Sequence, residues 1–325
     1  GVIPGIGGLV GMALLLPFTY AMDPFTALAF LIGMWAVTPT SDTIPSILLG
    51  VPGAAGSAAT VMDGYPMARR GEAGRALGAS YTASVIGGLF GAVLLGISIP
   101  ILRPFMLAFG TPELLALCVL GLMLVAAVSQ GAMLKGLVAA SFGVLLASVG
   151  DEAQTGELRW TFDTLYLWDG LPLEALVLGL FAVPELIDLA ASRKPIAAQR
   201  TKSIVRDQFQ GVKDAIKNIR LVFQSSWLGV VLGSVPGLGG AAVDWIAYGS
   251  AARSVKDGTK TFGTGDVRGV IASEAANNSR EGGALIPTIA FGIPGSATMA
   301  ILLGAFIMHG IQPGPKLLSE QLDVT

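Results

Sequence analysis

At 325 residues the chain is 53% hydrophobic and only 13% charged, with a mean hydropathy of +0.69. Soluble domains carry about 25% charged residues, so this composition excludes an ordinary soluble globule and points to a lipid bilayer. A net charge of −2 says nothing about partners and no basic concentration suggests nucleic acid, while the lone Cys118 and His309 exclude an intrachain disulfide and thiolate or multi-histidine metal chemistry.

The chain opens on GVIPGIGG (Gly1–Gly8) with no signal peptide ahead of it, and is expected to be a piece of a longer membrane protein. IPSILLGVPGAAGSAAT (Ile44–Thr60) follows, an apolar stretch interrupted by Pro45, Gly50, Pro52 and Gly53. The segment Gly64–Gly78 carries Arg69, Arg70 and Arg75, which places it on the cytoplasmic side by the positive-inside rule. Uncharged runs at Ala76–Leu102, Leu114–Leu134 and Gly136–Gly150 predict passes over about 77–102, 113–129 and 133–149, since a helix needs ~20 apolar residues to span the hydrocarbon. Three passes bring the acidic stretch Gly150–Gly170 outside, where Trp160 and Trp168 suit an interfacial aromatic belt. A fourth pass over about 171–191 returns to the most basic region of the chain, from Arg193 to Arg220. Within it Ile204, Val205, Phe209, Val212, Ile216, Ile219 and Val222 recur at helical spacing, which fits either an amphipathic helix on the membrane surface or a solvated linker helix. The uncharged run Leu221–Val243 contains GSVPGLGG (Gly233–Gly240), and the loop after it is basic at Arg253, Lys256, Lys260 and Arg268. From Gly282 to Met308 no residue is charged, yet Pro287, Gly292, Pro294 and Gly295 break the run. A proline inside a helix removes an N–H and clashes one turn back, so this is no plain spanning helix.

Two motifs therefore occur twice. GVIPGIGG recurs as GSVPGLGG at an offset of 232, and Pro45, Gly50, Pro52 and Gly53 match Pro287, Gly292, Pro294 and Gly295 at an offset of 242. The basic loops fall on opposite flanks of the two copies: 64–78 is basic where its counterpart after His309 has only Lys316, and 253–268 is basic where Tyr20–Phe25 has nothing. That flip is what inverted repeats require. The expected fold is an all-α polytopic membrane protein with two inverted repeats, each carrying a broken, re-entrant proline–glycine segment. The expected division is a first repeat with its following helices (1–192), a basic cytoplasmic linker (193–220) and an incomplete second repeat (221–325).

Six stretches resemble the large membrane subunit of the tripartite tricarboxylate transporters, the TctA family. They are PGIGG (4–8), IPSILLGVPG (44–53), DGYPMARRGEAGRALG (63–78), VPGLGGAA (235–242), EAANN (274–278) and GGALIPTIAFGIPGSATMAILLGAFIMHGIQPGP (282–315). The resemblance implies a secondary transporter of the bacterial inner membrane, carrying citrate-like carboxylates with Na⁺ or H⁺ as the coupling ion and no other cofactor. It also implies a small TctB-like membrane subunit, a TctC-like periplasmic solute-binding protein, and further helices beyond both ends of this chain. Two stretches depart from the family's tendency to small residues, Thr38–Asp42 and Ser279–Glu281, and they put the substrate's identity in doubt.

A carboxylate near the membrane midplane needs preorganised partners, and helices restarting after proline–glycine breaks present N–H groups and a positive dipole end. The candidate substrate site is accordingly Gly50, Pro52, Gly53, Ser57 and Thr60 from the first copy with Gly292, Pro294, Gly295, Ser296 and Thr298 from the second. Oxygens for a coupling ion are expected from Thr40, Ser41, Pro45, Asn277, Asn278 and Pro287, although the breaks also read as packing kinks and the asparagines as a helix cap. Asp42, Asp244, Glu274, Arg280 and Glu281 are expensive in a bilayer and default to a functional reading, their roles open. Alternatives are a large subunit of a related dicarboxylate system and an intramembrane hydrolase, the latter disfavoured because neither Ser57 nor Ser296 has a recognisable general base.

Overall fold

A computed structural model describes residues 8–107, 133–151, 157–168, 204–236 and 240–315, with isolated positions beside these. Nearly all of the passes expected over 113–129 and 171–191 lie outside the described residues. So do 193–203 of the linker, 1–7 of the first PGxGG motif, and positions 237 and 239 of the second. The architecture is helical: α1 (Gly8–Leu15), α2 (Pro24–Leu49), α3 (Ala58–Arg69), α4 (Ala73–Leu107), α5 (Met133–Ala147), α6 (Ile204–Lys217), α7 (Ile219–Gly233), α8 (Gly240–Ser254), the single turn α9 (Gly258–Thr261), α10 (Val267–Phe291) and α11 (Ala297–Met308). Among the described residues the sole β structure pairs Gly150 with Arg159 and Asp151 with Leu158. Pro24–Leu49 and Ala73–Leu102 are long and apolar enough to cross a membrane.

The helix boundaries follow local chemistry. Asp23 caps α2 by accepting from the Thr26 N–H at 3.0 Å, with Pro24 in the first position, where its missing donor costs nothing. Asp266 caps α10 through the Arg268 N–H, and Ser296 caps α11 through the Met299 N–H. Pro45 and Pro287 stay inside α2 and α10, so the breaks fall later, at Gly50–Ser57 and Gly292–Ser296. Asn277 and Asn278 sit in the middle of α10, which removes the reading of them as a cap.

Helix α10 is the axis of the fold, buried along almost its whole length between α4 and α7. Backbones meet there rather than side chains. A Cβ on Gly91 would lie 2.7 Å from the Ser279 carbonyl oxygen, and one on Gly229 would lie 2.6 Å from that of Ala276. Gly87 and Gly233 press likewise on Ala275 and Arg280. This is the small-residue contact that lets membrane helices associate without a hydrophobic driving force. The opposite face of α4 carries Val85, Leu89, Val93, Ile97 and Ile101, four residues apart and all more than half exposed.

The amphipathic segment over 203–223 forms two helices, α6 and α7, meeting at Asn218. Helix α6 is docked through its small, polar face: Gly78 packs on the Gln208 backbone, Gly211 on that of Arg75, and Arg75 Nε reaches Asp214 Oδ2 at 2.6 Å. Its apolar Phe209 and Ile216 point outward. The interior divides into two apolar clusters. One joins α1, α2, α11 and the end of α10 through Leu31, Trp35, Ile289 and Leu302. The other joins α3, α4, α6, α7 and the start of α10 through Met67, Ala79, Val222 and Ile271. The polar Asp42, Thr43 and Ser46 of α2 and Asn277–Glu281 in the middle of α10 lie between these clusters in the chain.

Candidate functional site

The repeated motif is built the same way twice. Gly50 and Gly292 both end their helices with φ +68°, a left-handed conformation that glycine adopts without strain. Val51 N–H donates to the Pro45 carbonyl at 3.4 Å, and Ile293 N–H to that of Pro287 at 3.2 Å. A hydroxyl closes each turn. Ser46 Oγ donates to the Asp42 carbonyl and accepts from Gly53 N–H at 3.4 Å, while Thr288 Oγ1 donates to Ala284 and accepts from Gly295 N–H at 3.3 Å. Ser46 and Thr288 obey the same offset of 242 but were not singled out in the sequence, because a hydroxyl one residue after a proline carries no signal by itself.

Both turns face one cavity of about 620 Å³. Pro52, Gly53, Ala54 and Gly56 come from the first turn, and Ser296, Ala297 and Thr298 from the second. Helix α2 adds Trp35, Thr38, Pro39 and Asp42, helix α10 adds Arg280 and Glu281, and Gly8 and Gly240 come from the two PGxGG motifs.

The charged wall centres on Arg280. Its Nη2 lies 2.7 Å from Glu281 Oε1, and its Nη2 and Nε donate to Asn277 Oδ1 at 3.0 and 3.2 Å. The guanidinium fills space that only glycine leaves open: a Cβ on Gly240 would lie 2.5 Å from Arg280 Cζ. A Cβ on Gly56 would lie 2.9 Å from Asn277 Oδ1 and 3.1 Å from both Arg280 Nη2 and Asp244 Oδ2. Asp244 is fully buried on α8, and among the described residues neither of its carboxylate oxygens has a hydrogen-bond partner. Glu281 Oε2 is likewise buried without one among those residues. A neighbouring carboxylate, Glu274, is satisfied instead by hydroxyls from three helices, Thr43 at 2.6 Å, Ser84 at 3.1 Å and Thr60.

Of the ten candidate substrate residues, Pro52, Gly53, Ser296 and Thr298 line the cavity. The other six do not line it. Gly50 lies under the Tyr65 ring, and Gly292 faces the Pro313 carbonyl. Gly295 is pressed on Ala284, so its missing side chain makes room for a helix rather than a ligand. Pro294 remains in the second turn. Ser57 Oγ accepts from the N–H groups of Gly53 and Ala54 at 3.0 and 3.3 Å, so donors expected to be open in the first turn are occupied. Thr60 joins Glu274 and Ser273. In the second turn the N–H groups of Ala297 and Thr298 begin α11, where no helical carbonyl precedes them. Among the ion candidates, Thr40 accepts from Asn278 Nδ2 at 2.9 Å, Ser41 donates to the Thr38 carbonyl, and Asn277 orients Arg280. The Pro45 and Pro287 carbonyls hold the helix caps together.

A helical membrane protein with one polar, charged cavity between two like-built broken segments is the class these features define. The chain belongs to the tripartite tricarboxylate transporter TctA family, whose profile matches residues 1–325. It is similar to an uncharacterised 52.8 kDa protein in the TAR-I ttuC′ 3′ region of Agrobacterium vitis, 34% identical over 99% of this chain and 63% of that protein. A second similar protein, from the TAR-II ttuC′ 3′ region of the same organism, is 37% identical over 29% of this chain and 38% of its own length. The chain thus spans less than two thirds of either relative. No solved structure matches it.

Proposed function

We propose that this chain is the transport core of the large subunit of a cation-coupled uptake system for citrate-like carboxylates, a multi-pass protein of the bacterial inner membrane. In this reading it works with a small membrane subunit and receives substrate from a periplasmic solute-binding protein. The two repeats are inverted, their proline–glycine segments are re-entrant, and the shared cavity is the substrate site. The observation that carries the reading is Arg280, a guanidinium in a cavity bounded by both broken segments. Arginine's planar fork suits bidentate capture of a carboxylate, and the α11 N-terminus at Ala297 and Thr298 offers further donors to an anion. Family membership supports the tricarboxylate class.

The test is citrate uptake into liposomes holding the full-length protein and its small subunit, with the binding protein supplied outside. Accumulation that needs the binding protein and an imposed cation gradient is expected. Passive conductance, or chemical turnover of the citrate, refutes the reading. Inversion is tested in the same vesicles with single cysteines in a Cys118→Ala background. Residues 64–78 and 253–268 are expected to label from the cytoplasmic side and 157–168 from the other; labelling of 253–268 and 157–168 from one side refutes inversion.

A further inference from the structure

We infer that Asp244 carries a coupling proton, taken up beside the Arg280 anion site. The inference rests on the proposal that the cavity moves a carboxylate.

Asp244 lies at the fifth position of α8, fully buried, and among the described residues no donor reaches either carboxylate oxygen. An ionised carboxylate in that condition has lost its water and gained nothing in return. Among the described residues the cation acting on it is Arg280, and two carboxylates of the same helix α10, Glu274 and Glu281, repel it. On α2, Asp42 lines the same cavity. From α3, Asp63 reaches α8 as well, but bonds the Tyr248 hydroxyl at 2.8 Å. The turn at Ala55–Ser57 brings no titratable side chain, α7 carries only Arg220, at its far end, and α9 brings Lys260 next to the opposite end of α8 from Asp244.

Arg280 does not neutralise Asp244. Asp244 Oδ2 and Arg280 Nη2 each lie 3.1 Å from the position of a Cβ on Gly56, so they are neighbours, yet no ion pair joins them. The guanidinium is instead engaged by Glu281 and Asn277. The single charge of Arg280 is therefore spent on Glu281, and Asp244 is left in surplus. A substrate carboxylate that engages Arg280 competes with Glu281 and makes the surplus larger. A proton arriving from the outer water forms an O–H bond at an Asp244 oxygen and removes one negative charge beside the substrate. After opening inward, substrate departure returns Arg280 to Glu281, the O–H bond breaks, and the proton leaves to cytoplasmic water. Linkage requires reciprocity: substrate raises the proton affinity of Asp244 as much as the proton raises substrate affinity. A proton suits the place, because it needs a single carboxylate and no shell of oxygen ligands.

Two measurements on the full-length protein in lipid separate this inference from the proposal beneath it. Infrared difference spectra between alkaline and mildly acidic buffer, without substrate, are expected to contain a protonated-carboxyl component that Asp244→Asn removes and Glu281→Gln and Glu274→Gln retain. Its absence in the unsubstituted protein, or its survival in Asp244→Asn, overturns the inference whatever the protein transports. In vesicles, Asp244→Asn is expected to lose acid-driven citrate accumulation at least tenfold while keeping citrate–citrate exchange. Accumulation that follows only a Na⁺ gradient, and loses that dependence in Asp244→Asn, overturns the proton in favour of Na⁺. A carboxyl component assigned to Asp244 in a protein that moves no citrate supports the protonation site and refutes the substrate reading.

Discussion

Arg280→Gln separates a binding role from a structural one. The guanidinium holds Glu281 at 2.7 Å and Asn277 at 3.0 Å, and the paired side chains are only 16% and 9% exposed. Removing one member of a buried pair strands the other, at about 3–5 kcal/mol, and the partial exposure puts the loss near the lower figure. Loss of a charged hydrogen bond to a ligand is a separate effect of about 1.5–3 kcal/mol, roughly tenfold to a hundredfold in affinity. The double variant Arg280→Gln with Glu281→Gln removes both charges and strands neither. It is expected to recover most of the thermal stability lost in the single variant but none of the citrate affinity. Arg280→Lys keeps the charge without the fork and should fall between wild type and the single variant. Thermal unfolding and calorimetric citrate titration of the full-length protein in detergent measure the two effects. A double variant that binds citrate as tightly as wild type refutes the assignment of Arg280 to the substrate.

Asp63→Ala should destabilise by about 2–4 kcal/mol and expose the loop before α10 to trypsin, because Oδ1 accepts from the N–H groups of Gly263, Gly265 and Asp266 at 2.7–2.9 Å. An unchanged melting temperature and digestion pattern would show that the loop holds itself. Gly91→Leu should prevent assembly of α4 on α10, whereas Gly96→Leu, on the same helix with nothing within 4 Å of its Cβ, should behave as wild type; size-exclusion profiles decide. Equal tolerance of both would mean the backbone contact is dispensable.

The breaks were legible in the sequence because proline and glycine act on the backbone of their own residue. Gly50 and Gly292 are helix ends for that reason, with matching dihedrals. What fills the freed space was not legible. Glycine permits close approach by a ligand or by a helix, and Gly295 and Gly53 look alike in sequence, yet one packs under Ala284 and the other borders the cavity. Ser57 and Thr60 have the hydroxyls a site needs, but they spend them on a turn and on Glu274. Arg280, Glu281 and Asp42 were visible only as charges in apolar surroundings. Their convergence with Asp244 and Gly56 spans residues up to about 240 positions apart, and no local period encodes it. Helical spacing over 203–223 did show which faces are apolar. It gave no warning that α6 would dock by its glycine face, since a membrane rewards outward-facing Phe209 and Ile216.

Helix α4 turns its glycines inward and its aliphatic row outward, and this arrangement has a calorimetric consequence. In a bilayer, Val85, Leu89, Val93, Ile97 and Ile101 meet hydrocarbon whether or not α4 is packed on α10. Parting the two helices would hydrate almost no new apolar surface. The heat capacity of that step should therefore fall well below the ~12–15 cal/mol/K per residue of soluble domains. With so small a curvature term, the α4–α10 contact should weaken nearly linearly with temperature and show no loosening in the cold.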